Sequence, residues 1–146
     1  MANFQHYLSP IGRLLLCSLF IWAGYGKLVS PTGTAQFFAS AGVPEPVLMV
    51  WVAIIVELGG GLALLIGIKT RWVAAILALW CLGTGVAVHL AAGLHGSDPA
   101  TAYDNMIHFY KNLSMAGGLI YVVAFGAGLI SIEGGLAPRL EDRPAP

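Results

Sequence analysis

The stretch VLMVWVAIIVELGGGLALLIGI, residues 47–68, is apolar at almost every position and contains a single charged side chain, Glu57. A run of about 20 such residues is long enough to cross the hydrocarbon core of a bilayer as a helix. A carboxyl group near the middle of such a helix costs about 2.5–3.5 kcal/mol on insertion scales, so it needs a partner or a task. The stretch therefore predicts a membrane protein with a polar site around Glu57.

The composition of the whole chain agrees with a membrane protein. Of its 146 residues, 58% are hydrophobic and only 10% are charged, whereas a soluble domain usually has about 25% charged residues. Membrane lipids are therefore the predicted surroundings, and the net charge of zero argues against nucleic acid as a partner. Cys17 and Cys81 lie in apolar segments without CxxC spacing, so a thioredoxin-like redox pair is not indicated and buried thiols are predicted. No metal site is predicted.

Three further apolar segments accompany this stretch, and each is long enough to cross a bilayer once. The predicted spans are residues 11–29, 47–68, 72–94 and 106–132. The first is interpreted as a retained span, because it is longer than the apolar part of an ordinary signal peptide. These segments predict an all-α fold, an integral membrane antiparallel four-helix bundle that forms a single transmembrane domain over residues 1–146.

The connections between the spans carry their own signals. Residues 30–46 contain three prolines and the pair Phe37-Phe38, which predicts a loop with a short interfacial helix between spans one and two. Asp104 is predicted to cap the fourth helix at its start. The basic residues favour a cytoplasmic location for both termini, because most of them then lie on the inner side of the membrane. The predicted inner residues are Arg13, Lys69, Arg71, Arg139 and Arg143, and the outer ones are Lys27 and Lys111.

Polar residues from all four predicted helices lie at similar depths. At a rise of 1.5 Å per residue, Glu57 lies about 16 Å from the inner end of its helix, and Lys27 and His89 lie about 24–26 Å from the inner ends of theirs. Lys111 and Asn112 enter the fourth helix from the outside. We therefore predict that Glu57 pairs with Lys111 or Lys27, and that these five residues surround a pocket toward the outer leaflet.

Other interpretations of the same residues stay open. The ion pair of Glu57 could serve only to set the packing of the helices, and the glycines near it, with Gly24, could close the pocket. His89 and His108 could in principle bind a haem, but no companion motif supports one, so a haem is not predicted. Arg13 and His108 are secondary site candidates, and Arg13 is predicted to lie too far from Glu57 for direct contact.

The chain resembles the DoxX family of small four-helix membrane proteins over nearly its whole length, from residue 11 to about residue 132. The resemblance rests on the order and spacing of five features: Arg13, AGYGKL at 23–28, ELGGG at 57–61, LIGIKTR at 65–71 and KNL at 111–113. It implies a link to membrane redox systems, among them a quinone-linked thiosulfate-oxidising system and a complex that protects against oxidative stress. It also implies an accessory role for the chain and a location in the inner membrane.

Three functions follow from these observations. The first is an accessory or quinone-linked subunit of a membrane redox system; a quinone from a partner system would then be its ligand, and other membrane or redox subunits or a second copy its partners. No flavin, iron–sulfur or nucleotide motif is visible, so electrons would come from the partner. The second function is a small transporter or proton-relay protein. The third is a scaffold whose polar cluster only holds the helices together.

Overall fold

The structure, a computed structural model, describes residues 2–96 and 98–136, and all regular secondary structure within these residues is helical. Its helices are α1 (Ala2–Val29), α2 (Pro31–Ser40), α3 (Pro46–Ile66), α4 (Thr70–His95), α5 (Pro99–Phe125) and α6 (Ile132–Leu136). Helix α2 is the short helix predicted between the first two spans. Arg139 and Arg143, which contributed to the predicted orientation, lie outside the described residues.

Three of the described helices are long and apolar enough to cross a membrane: Tyr7–Val29 within α1, the whole of α3 and the whole of α4. Helix α5 is longer than α3, but Asp104, His108 and Lys111 make its first half polar. On the outer faces of α1, α3 and α4, large apolar side chains such as those of Leu15, Ile55 and Leu79 are exposed. Side chains of this kind are expected where a helix faces lipid.

Helix α5 begins earlier than the sequence predicted. Asp98, rather than Asp104, caps it: the Asp98 carboxylate accepts hydrogen bonds from the backbone N–H and the hydroxyl of Thr101. Pro99 follows at the first helical position, where its missing N–H costs nothing. The hydrogen bonds from Thr101 hold the pKa of Asp98 below its ordinary value, which keeps the cap ionised. The prediction of Asp104 was wrong because it lies within the helix, in its second turn.

The same helix also ends before residue 132, the predicted end of the fourth span. Phe125 is its last residue, and Gly126 has φ 80° and ψ −166°, a conformation that L residues with side chains rarely adopt. The chain then turns back toward the end of α3, where the N–H of Glu133 donates to the carbonyl of Gly67. Helix α6 therefore covers the turn between α3 and α4.

The core lies between α1, α3, α4 and α5. Cys17, Leu64, Leu77 and Leu119 each contribute a fully buried side chain to it, one from each of these helices. Cys81 is also buried, and neither cysteine forms a disulfide. The prediction of buried thiols is thus confirmed.

Gly24 brings α1 and α3 into close contact beside the polar site. A Cβ atom built on Gly24 would lie only 2.6 Å from the backbone nitrogen of Leu58. The absence of a side chain at Gly24 thus allows the two helices to approach closely at this point. This contact sets the distance between Lys27, one turn further along α1, and Glu57, next to Leu58 on α3.

We expect Gly24→Ala to lower the free energy of unfolding by about 1–3 kcal/mol, because the added methyl group forces the two backbones apart. Gly26→Ala is the matched control, since it changes the same helix where nothing lies within 4 Å of the added atom. Both substitutions replace glycine by alanine in the same helix, so they change its helix propensity equally. The difference between their effects on the free energy of unfolding therefore measures the clash at position 24. Equal unfolding midpoints for the two variants in detergent would contradict this account of the contact.

Candidate functional site

The centre of the polar site is an ion pair between α1 and α3. Lys27 Nζ lies 2.6 Å from Glu57 Oε2, and the side chains are only 20% and 11% exposed. Trp80, on α4, donates its indole N–H to Glu57 Oε1 over 3.1 Å. Both carboxylate oxygens of Glu57 therefore accept a hydrogen bond, which reduces the cost of burying the charge. The predicted pairing of Glu57 is confirmed, with Lys27 and not Lys111 as its partner.

The backbone around the site departs from regular α-helix in two places. Residues Ile55–Gly59 in α3 and Gly85–Leu90 in α4 are π-helical. Glu57 lies within the first segment and His89 within the second. Single π-helical turns are rare and are found frequently at functional sites, because the inserted residue changes the direction of nearby side chains. The two candidate residues that α3 and α4 contribute are thus both placed by such a turn.

A second polar group lies further along the same side of the molecule, between α4 and α5. The His89 and His108 rings stack with their centroids 5.0 Å apart. His89 Nδ1 lies 3.0 Å from Asn105 Oδ1, while His108 Nδ1 lies 2.7 Å from Lys111 Nζ. His108 Nε2 in turn lies 3.4 Å from a carboxylate oxygen of Asp104. Lys111 therefore contacts the histidine pair rather than Glu57.

A cavity of about 810 Å³ joins these two groups. Its volume lies within the range of about 300–1,000 Å³ that is typical of small-molecule sites. The polar side chains that line it include Lys27, Glu57, Trp80, Thr84, His89, His108, Lys111 and Asn112 from α1, α3, α4 and α5, together with Ser30 and Thr34 at the start of α2. The rest of the lining is mostly apolar and includes Leu19, Trp22, Tyr25, Phe37, Phe38, Val88 and Met115. The five main candidates from the sequence thus line one cavity, together with His108.

Asn112 reaches this cavity because a glycine faces it. The Cβ of Asn112 would lie 3.3 Å from a Cβ atom built on Gly85, in the π-helical segment of α4. A larger residue at position 85 would push α5 away and would move Asn112 and Lys111 with it. The glycine therefore positions the polar face of α5.

Arg13, the other secondary candidate, does not line this cavity. Its guanidinium is 3% exposed and donates to the carbonyl oxygens of Leu64 and Leu65, at 3.3 and 3.2 Å, and to that of Ile130. We call this region, formed by residues 9–13, 64–71 and 126–133, the Arg13 end of the molecule. The opposite region, residues 27–40, 89–96 and 98–108, is the Lys27 end, and the cavity opens at this end.

Several cavity residues were not among the predicted site residues. Trp80 is the most important, because it binds Glu57 directly. Its position in the middle of an apolar span was the available signal, since a buried indole N–H needs an acceptor. Phe37 and Phe38 were noted only as part of the segment between spans one and two. Asn105, which contacts His89 but does not line the cavity, gave no signal. Among the described residues, no three His, Cys, Asp or Glu side chains are grouped so that they could hold a metal ion.

The helices and their buried polar groups define an all-helical membrane protein, and comparison with known proteins places it in a family. The family model of DoxX matches residues 9–90, so the chain belongs to the DoxX family, as its sequence motifs indicated. Two similar proteins of Escherichia coli (strain K12) are the inner membrane proteins YphA and YqjF. YphA is 32% identical over 123 residues, 84% of this chain and 86% of YphA. YqjF is 36% identical over 125 residues, 84% of this chain and 87% of YqjF.

A third relative has a name that refers to an enzymatic activity. It is the "Putative oxidoreductase CatD" of Bacillus subtilis (strain 168), which is 34% identical over 85 residues, 58% of this chain and 62% of that protein. No solved structure matches the chain significantly.

Proposed function

We propose that the chain is an accessory subunit of a redox system in the inner membrane, and that the cavity at its Lys27 end binds the head group of a quinone. The observation that carries this proposal is the cavity itself. It gathers a carboxylate, two lysines and an amide in mostly apolar surroundings, with Glu57, Lys27, Lys111 and Asn112 on three different helices. Fixing the positions of the helices relative to one another would need only the ion pair between Lys27 and Glu57.

The proposal includes an antiparallel four-helix bundle with α5 as the fourth span and both termini in the cytoplasm. At 1.5 Å per residue, the 27 residues of α5 extend about 40 Å, which is longer than the hydrocarbon core. Helix α5 packs along α4, and its Gly118 lies against Leu16 of α1. Lys69 and Arg71 belong to the Arg13 end, so the positive-inside rule supports a cytoplasmic location for that end. The relatives YphA and YqjF are both named inner membrane proteins, which supports a location of this chain in the inner membrane.

A quinone matches the chemistry of the cavity. Its two carbonyl oxygens accept hydrogen bonds, and they take up protons when the ring is reduced. Lys111 has two N–H groups beyond the one directed at His108, and Asn112 has an amide group, so both can donate to a carbonyl oxygen. Glu57 can exchange a proton or accept a hydrogen bond from a hydroquinone hydroxyl. The apolar side of the cavity, with Trp22 and Phe37, suits the ring and the start of an isoprenoid chain.

The redox link rests on the family and on one relative. The relative CatD of Bacillus subtilis is named "Putative oxidoreductase". The present chain carries no flavin, iron–sulfur or nucleotide motif, so electrons would reach a bound quinone from a second protein. An accessory subunit that holds or passes a quinone therefore fits the sequence better than an enzyme that acts alone.

Binding of decylubiquinone to the detergent-purified protein tests the proposal. We expect saturable binding, and we expect Lys111→Met to weaken it about tenfold or more, because a charged donor to a carbonyl oxygen contributes about 1.5–3 kcal/mol. Arg71→Met is the matched control, since it removes an exposed cation at the Arg13 end. Quenching of tryptophan fluorescence measures the binding, because Trp22 and Trp80 line the cavity.

The result separates the proposed function from its alternatives. Absence of saturable binding to the wild-type protein would contradict the quinone site. It would leave the scaffold, whose polar cluster holds the helices together, and for which Lys111→Met should lower the stability of the fold. Ion or solute flux that the purified protein supports in liposomes would instead favour the transporter. Equal affinity of the Lys111→Met and wild-type proteins would show that the quinone binds elsewhere.

A further inference from the structure

Three ionisable side chains on α5 form a continuous series that begins in the cavity and ends at the surface. Lys111, His108 and Asp104 are three and four residues apart, so they lie on one face of the helix. Lys111 Nζ lies 2.7 Å from His108 Nδ1, and His108 Nε2 lies 3.4 Å from Asp104 Oδ2. The contact between Lys111 and His108 is a hydrogen bond. A small side-chain rotation would bring His108 and Asp104 to hydrogen-bond distance as well.

The exposure of these side chains rises along the series. Lys111 lines the cavity and is partly buried. The His108 side chain is 38% exposed, and the Asp104 side chain is 68% exposed. Asp104 therefore meets water, while Lys111 meets whatever occupies the cavity, and His108 is the group between them.

The contacts of His108 determine how it can act. Because the ammonium group of Lys111 has only protons to offer, it donates to His108 Nδ1, and a neutral imidazole then carries its proton on Nε2. That proton faces the carboxylate of Asp104. An imidazole in this state can accept a proton at Nδ1 and release another from Nε2 without turning over. An amide or an apolar side chain at position 108 could not do so.

We propose that Lys111, His108 and Asp104 form a proton path between the cavity and the aqueous surface at the Lys27 end; this proposal rests on the proposed binding of a quinone in the cavity. In the outward direction, Lys111 gives a proton to His108 Nδ1, and the Nε2 proton of His108 passes to Asp104 and on to water. The neutral amine of Lys111 then takes a proton from the hydroxyl group of the ligand. One proton leaves the ligand and one enters the water; His108 is left with its proton on Nδ1, and a turn of its partly exposed ring restores the starting arrangement.

The other groups near the path do not extend it. His89 stacks on His108, but its Nδ1 contacts the amide oxygen of Asn105, which does not accept a proton at ordinary pH. Cys81 is buried at the cavity wall. Glu57 and Lys27 lie across the cavity and are engaged with each other. The series on α5 therefore links the cavity, through successive contacts, to an exposed carboxylate.

The test uses an ionisable probe, a 2-hydroxy-3-alkyl-1,4-naphthoquinone, whose visible absorbance changes when its hydroxyl group ionises. The probe is bound to the purified full chain, and the solution is moved rapidly from about pH 8 to about pH 6, across the ordinary pKa of histidine. The rate at which the bound probe is protonated is then followed by stopped-flow absorbance. With the probe at saturating concentration, we expect His108→Gln to slow this rate at least about tenfold, because a positioned acid–base group commonly contributes more than that.

Three further samples complete the experiment. Asp104→Asn, a change at an exposed position, should slow the rate several-fold and leave the fold intact. Adding imidazole to a His108→Ala variant should restore the rate, which a purely structural role of His108 would not explain. His95→Gln, which removes an exposed histidine of α4 outside the cavity lining, should leave the rate unchanged.

The outcomes distinguish failure of the path from failure of the proposed function. If the wild-type protein does not bind the probe, the proposed quinone site is wrong and the path has no ligand to serve. If the probe binds and is protonated at the wild-type rate in both His108→Gln and Asp104→Asn, the site stands and the path is overturned.

Discussion

Replacing Lys27 by methionine should lower the free energy of unfolding by about 3–5 kcal/mol, because it leaves the buried carboxylate of Glu57 without its cation. The ion pair is short, and both side chains are mostly excluded from solvent. Trp80 alone cannot replace the charge of Lys27, so Glu57 must either stay ionised at high cost or take up a proton. Glu57→Gln should have a similar effect, since it leaves a lysine uncompensated at the same depth. Unfolding by denaturant in mixed micelles measures both variants.

The double variant Lys27→Met/Glu57→Gln provides the control for this prediction. Replacing both members of a buried ion pair by neutral groups is often close to neutral for stability, whereas breaking the pair is not. We therefore expect the double variant to recover most of the stability that either single variant loses. If the losses of the two single variants simply add in the double variant, the two side chains are not coupled, and the ion pair does not hold α1 to α3.

Arg13→Met should destabilise the Arg13 end by about 3 kcal/mol or more. Its guanidinium donates to three carbonyl oxygens, two at the end of α3 and one in the segment that follows α5. A hydrogen bond from a charged donor contributes about 1.5–3 kcal/mol, and the carbonyl groups left without a donor add a cost of their own. Arg13→Lys should recover only part of the loss, because one ammonium group cannot match the planar fork of an arginine.

Arg71→Met is the matched control for Arg13→Met, because Arg71 is an exposed arginine at the same end of the molecule. Its loss should change the unfolding midpoint little. Local protection distinguishes the two variants as well. Amide hydrogen exchange should rise throughout residues 126–133 for Arg13→Met, whereas Arg71→Met should change it at most near Gly126, against which the Arg71 guanidinium lies. A stable Arg13→Met variant with unchanged exchange would show that the guanidinium does not tie these segments together.

The sequence predicted the polar partners of Glu57 only as a choice between two lysines. A carboxylate in an apolar span needs a cation, so the existence of the pair followed from the energetics of burial. Which lysine pairs with Glu57 depends on how α1 and α5 are rotated about their axes. That rotation would have to be known to within a fraction of a turn. The close contact at Gly24 and the π-helical turn at Glu57 set that rotation, and neither is visible from depth alone.

The limits of helix α5 show a second reason for error. Asp98 and Asp104 are both of a residue type that caps helices, but only Asp104, the one nearer the apolar segment, was predicted as a cap. Residues 99–103, which lie between them, form about one and a half turns that no hydrophobic pattern marks. Asp104, the partner of His108, and Asn105, the partner of His89, follow directly after these turns. These two contacts were therefore missed because they lie outside the apolar spans, whereas Trp80 was missed within one.

The π-helical segments change how the amphipathic pattern of α3 and α4 should be interpreted. A π-helical turn bonds residue i to residue i+5 and so holds one residue more than an α-helical turn. Because each α-helical residue advances by about 100°, the residues on either side of the insertion are out of phase with each other. Glu57 and His89 each lie at one of these phase shifts. A relative that lacked the extra residue would therefore turn its carboxyl group away from the cavity, even with a glutamate aligned at the same position.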